Sequence, residues 1–179
     1  MLGKNIETFI GCDCEYNEAQ IVLFGAPFDS TTSFRPGARF GSSAMRHESF
    51  GLETYSPYQD KDLSDYCIFD SGDLELCFGS AESALADIEE RAEQILEDGK
   101  LPVLLGGEHL VTLGAVRAVA KQYPDLHILT LLLQKENRSS SISMPWRLRS
   151  LNRFGTELLR RQLTLTLQSS QVLSRRQRH

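Results

Sequence analysis

No aspartate occurs after Asp125 in this chain of 179 residues, so a function that needs aspartate carboxylates must find them earlier. No run of about 18 or more apolar residues exists either, which excludes a hydrophobic membrane-spanning helix. Met1 to Glu15 lacks the basic start and apolar stretch of a secretion signal. These absences predict a soluble, cytoplasmic protein without a membrane partner. The four cysteines, Cys12, Cys14, Cys67 and Cys77, form neither a C-x-x-C pair nor the dense spacing of a disulfide framework. They are expected as buried or surface free thiols. The G-x-G-x-x-G and G-K-[ST] phosphate fingerprints are missing as well.

What is present is enough apolar sequence, 41%, to bury a real core in one domain or one and a fraction. The net charge of −5 conceals two different compositions. Residues 1–128 hold 22 acidic against 9 basic residues, whereas residues 129–179 hold 2 against 10. The second segment also contains 12 Leu, 8 Ser and 9 Arg, the three residue types served by the largest codon families. Translation in a shifted frame over-produces such residues. The competing reading is an authentic basic, disordered arm. Twelve leucines argue against simple disorder, and the lack of a clean apolar period argues against a helix.

Within residues 1–128 the pattern is orderly. AQIVLFGAP, residues 19–27, is a short apolar run stopped by Gly25 and Pro27, as a buried parallel strand would be. A glycine and proline loop follows and leads into a helix from about Ser42. YCIFD, residues 66–70, is a second strand ending in an acidic turn, DSGD. From Ala81 to Asp98 the apolar positions Leu85, Ile88, Ala92, Ile95 and Leu96 share one helical face. Ser80 suits an N-cap and Gly99 a stop. Leu101–Leu105 is a third strand, Leu110–Gln122 a third helix, and LHIL from Leu126 the start of a fourth strand. Strands alternating with helices predict a three-layer α/β/α fold with a parallel sheet, whose functional residues collect at the carboxyl edge.

The junction GGEH, residues 106–109, falls on that edge. Its glycines permit a tight turn or the close approach of a ligand, and a helix start offers unpaired N–H groups. Glu108 suits either the helix dipole or the orientation of a metal-bound imidazole. His109 is the candidate metal ligand, although one imidazole is not a site.

GAPFD (25–29), SFRPGARFGSSAMR (33–46), DSGDL (70–74) and LLGGEHLVTLG (104–114) occur in the order of the motifs of the arginase and agmatinase family, the ureohydrolases. Over roughly residues 15–128 the chain resembles that family, with RPGARFG closest to the agmatinase branch. The resemblance implies an arginase-like α/β fold and two manganese ions at the carboxyl edge. It also implies hydrolysis of an agmatine-like guanidinium substrate to putrescine and urea, within homo-oligomers. His109 then corresponds to the first manganese ligand. The family takes its carboxylate ligands from a D-A-H-x-D motif after the next strand and from a later D-x-D. At the first of those positions this sequence reads LTLLLQKENRSSS.

That departure coincides with the change in composition. Residues 1–128 are therefore read as the N-terminal part of an arginase-like domain, incomplete in this chain, and 129–179 as a tail out of frame or poorly ordered. D-A-H-x-D in another frame after the codon for Ile128 is what this reading requires. The chain alone is expected neither to hold the manganese pair nor to release urea. Asp70 and Asp73 are expected to cap or hold their turn, His127 to lie inward or at the edge of a strand, and His47 to face solvent. Two other roles stand as alternatives: a non-catalytic subunit or fragment pairing with a complete ureohydrolase and, lower, RNA binding through the basic tail, which lacks interleaved aromatics beyond Trp146 and Phe154.

Overall fold

The computed structural model of the chain describes residues 2–129 apart from 4 and 34. The apolar run that opens the family-like region becomes β1 (Ile21–Ala26), the middle strand of a three-stranded sheet whose other members are β4 (Ile68–Asp73) and β5 (Leu101–Gly106). The order is β4-β1-β5 and both pairings are parallel. β5 keeps an unbroken register with β1, from Ile21 opposite Leu101 to Ala26 opposite Gly106. β4 runs in step as far as Leu23 opposite Asp70, then slips to place Gly25 opposite Asp73.

Side chains alternate between the faces of a strand, and here that sorts the core into two. Val22, Phe24, Ala26, Phe69 and Leu104 pack in one cluster with α2 (Ala81–Glu97) and α3 (Val111–Gln122). Leu23, Ile68 and Leu105 form the other, with Cys12 and with Met45 of α1 (Gly41–Ser49). Helices thus cover both faces, as the alternation of elements predicts. Every expected position of the α2 face, Leu85, Ile88, Ala92, Ile95 and Leu96, is buried. Burying one such aliphatic side chain stabilises the fold by about 1.5–3 kcal/mol. The Ser80 side chain accepts the Ser83 N–H at 3.1 Å, and Gly99 ends the helix in left-handed backbone, φ 72°.

Three expectations about the fold are corrected. β4 does not stop at an acidic turn but continues through Asp73, because donors from its surroundings satisfy Asp70 inside the strand, and such tertiary context overrides weak strand propensity. Leu126–Leu129 forms no strand. Ile128 and Leu129 stay largely exposed, so little burial offsets the cost of ordering them. Cys14 and Cys67 are not free thiols. The Cys14 N–H donates to the Ile68 carbonyl, which brings the two Cα atoms within 5.5 Å and into a disulfide. A short antiparallel pair, β2 (Tyr55–Ser56) with β3 (Lys61–Asp62), was not legible in the sequence. The Leu/Ser/Arg-rich tail, with Trp146, Phe154 and any RNA-binding role, lies outside the described residues beyond Leu129.

Candidate functional site at the carboxyl edge

β5 ends at Gly106 and the chain turns through Gly107 to Leu110 before α3 begins. A Cβ on Gly107 would lie 2.2 Å from the Phe28 carbonyl oxygen, so glycine is needed here for a close backbone approach. The Glu108 N–H then donates to that same oxygen at 2.8 Å. Two loops, Pro27–Phe40 and Gly106–His109, are in this way tied together at the carboxyl edge of the sheet.

Glu108 does not sit in the first turn of α3, as its reading as a dipole partner required, because the helix starts later, at Val111. Its carboxylate is buried, and Oε1 accepts the Thr31 hydroxyl proton. Oε2 is shielded yet accepts no hydrogen bond from a described residue. His109 is exposed at the turn, with its carbonyl accepting the Thr112 N–H. The imidazole is therefore delivered to the carboxyl edge and left open to solvent.

Asp29, of the GAPFD stretch, is wholly buried and closes its own loop. Its Oδ2 accepts the Gly37 N–H at 2.6 Å and the Arg39 N–H at 3.2 Å, and its Oδ1 meets the Arg39 guanidinium at 2.5 Å. Burial alone would raise its pKa, but the Arg39 guanidinium and the two N–H donors outweigh it and hold the carboxyl below its ordinary value. The same guanidinium lies 4.6 Å over the Phe78 ring, which stacks on Phe28.

At the end of β4 the two aspartates are engaged. Arg46, 2% exposed, donates to Asp70 through Nε at 2.7 Å and Nη2 at 2.9 Å, and to Asp73 through Nη1 at 2.5 Å. Asp70 accepts the Phe9 and Gly72 N–H groups too, and Asp73 the Ser42 hydroxyl. Burial would lower the Arg46 pKa, yet the hydrogen bonds and charges of both aspartates raise it. Gly25 makes room for this arrangement, since a Cβ there would fall 1.8 Å from Asp73 Oδ1.

Sequence reasoning placed Asp70 and Asp73 as structural residues but missed their partner. Ser42, Arg46 and Ser49, the buried residues of α1, are spaced four and three apart, a polar stripe at helical period that marks Arg46 as a buried position without naming its partners. His47 faces solvent as expected, 3.1 Å from Glu7. His127 is exposed and lies in no strand, because the strand expected around it does not form.

Among the described residues, no group of three or more His, Cys, Asp or Glu is placed to hold a metal ion. They do not fit a manganese pair: His109 offers one nitrogen, and the carboxylates at the end of β4 are occupied by Arg46. No helix among them is long and apolar enough to cross a membrane.

The sequence pattern of the Arginase family matches residues 19–131, and the match ends close to the change in composition after Ile128. The agmatinase of Bacillus subtilis is 50% identical over 123 residues, which make up 69% of this chain and 42% of that protein. A solved chain from Clostridium difficile is 53% identical with a TM-score of 0.62, over 64% of this chain and 41% of its own length. The agmatine ureohydrolase of Thermoplasma volcanium is 35% identical with a TM-score of 0.60, over 64% and 39%. The chain thus spans about two fifths of the length of these relatives.

Proposed function

This chain belongs to the arginase family, and on that premise we propose that its first 128 residues are the N-terminal part of an agmatinase-like ureohydrolase. Such an enzyme is a hydrolase of linear amidines that converts agmatine and water to putrescine and urea. We further propose that the chain as it stands does not carry out this reaction. The observation that carries both statements is His109: the GGEH turn presents it at the carboxyl edge, and it belongs to no group of three or more metal-donor side chains among the described residues.

A guanidinium carbon is a poor electrophile, and in this family a manganese pair would supply hydroxide at neutral pH. What the chain's own residues do is build the floor of such a site. Gly107 lets the two loops meet, Glu108 and Thr31 hold them together, and Asp29 keeps its loop folded onto Arg39. Agmatine as substrate, a cytoplasmic location and the oligomers expected of the family rest on the same premise. So does pairing with a complete ureohydrolase subunit. β5, which pairs only with β1 among the described residues, is the edge such pairing would use.

The test is direct. The purified chain, supplied with manganese and agmatine, is expected to retain less than a stoichiometric pair of ions and to form no urea above background. Two bound ions together with urea release would overturn the proposal of inactivity and leave the family assignment intact.

A further inference from the structure

The ureohydrolase reading makes no use of the segment ahead of β1, and the family match begins only at residue 19. That segment is nevertheless docked. The Phe9 N–H donates to Asp70 Oδ2 at 2.9 Å, the Ile10 N–H to Ser49 Oγ at 3.0 Å, and the Cys14 N–H to the Ile68 carbonyl at 3.3 Å. Cys12 is buried with Leu23, Ile68 and Leu105. A covalent bond then closes the arm, joining Cys14 to Cys67 across 53 positions of sequence, just ahead of β4.

We infer that the Cys14–Cys67 disulfide is a redox-operated clasp: closed, it holds residues 5–14 against β4 and α1, and opened by a dithiol reductant it releases them. Ile6 within the arm is fully exposed, and what holds the arm besides the bridge is non-covalent: the N–H groups of Asn5, Phe9, Ile10 and Cys14 on β4 and α1, the contact of Glu7 with His47, and the burial of Cys12. Opening reaches the buried network as well. Asp70 loses the Phe9 N–H while keeping Arg46 and the Gly72 N–H, which loosens the end of β4 without dismantling it.

The chemistry balances as thiol–disulfide exchange. A thiolate of the reductant attacks one sulfur of the bridge, the protein S–S bond breaks, and a mixed disulfide forms. The second thiolate of the reductant displaces the remaining protein sulfur. Two electrons pass to the bridge, Cys14 and Cys67 each take up a proton to become thiols, and the reductant leaves as a cyclic disulfide. Re-closure needs a small-molecule disulfide or a diazene oxidant to accept the same two electrons.

The full chain is oxidised with diamide or reduced with dithiothreitol, and both forms are examined by peptide mapping and hydrogen–deuterium exchange, beside Cys14→Ser and Cys67→Ser. Mapping is expected to recover Cys14 linked to Cys67 in the oxidised form only. Amides of residues 5–14 are expected to exchange about tenfold faster after reduction, with α2 unchanged. Either variant should show the fast rate with or without reductant. Separate thiols at Cys14 and Cys67 after diamide would overturn the clasp, as would an exchange rate in the arm indifferent to reduction. Acceleration of α2 alongside the arm would overturn it too, since the bridge would then support the whole fold. Should neither variant fold, the oxidised and reduced forms of the unaltered chain still decide.

Discussion

β4 and β5 both bring ionisable residues to the carboxyl edge of one sheet, yet the two ends differ in what they leave available. At β4, Asp70 has four donors and Asp73 two side-chain partners, all supplied by the chain itself. At β5, one oxygen of Glu108 is shielded without a partner and His109 faces solvent. The same type of position therefore serves stability at one strand and remains open for chemistry at the next. What separates them is the presence of a buried cation: Arg46 reaches β4 from α1, and no described lysine or arginine is paired with Glu108.

The largest way to break this contrast is to remove that cation. Arg46→Ala would leave Asp70 buried and uncompensated and should destabilise the chain by about 3–5 kcal/mol. Denaturant titration checks it, and a loss below about 1 kcal/mol would mean that the ion pair behaves like a surface one. Next comes the β5 turn. Gly107→Ala places a methyl group against the Phe28 backbone, which cannot yield as a flexible side chain could. The expected cost is about 2–3 kcal/mol, read as a lower thermal midpoint and faster amide exchange in the Pro27–Phe40 loop. The smallest effect should come from His109→Ala. An exposed imidazole with no described side-chain partner should change stability by no more than about 0.5 kcal/mol. A larger loss would show that His109 is structural, and the contrast between the strands would narrow.

Much of this was legible beforehand. The strand runs, the α2 face with its Ser80 cap and the GGEH turn are local patterns, carried by a few residues near each other in sequence. The Arg46 network was not legible, because its members lie on α1 and β4, about two dozen positions apart, and nothing in DSGD says which cation will arrive. A longer separation, 53 positions, hid the Cys14–Cys67 bridge. The expected fourth strand failed for a related reason: LHIL has the residues of a strand, but pairing is a property of two segments and not of one.

Sequence alone determined the alternation of strands and helices, the family and the change in composition after Ile128, because periodicity, motif order and residue counts are properties of a chain read in one dimension. Tertiary structure decided which of the acidic residues at the carboxyl edge were neutralised and which stayed open. Charges separated along the chain interact only once folding has brought them within a few ångströms in a poorly solvated interior. Asp70 and Glu108 are both buried carboxylates, and only the packing of α1 against the sheet gave one of them its guanidinium.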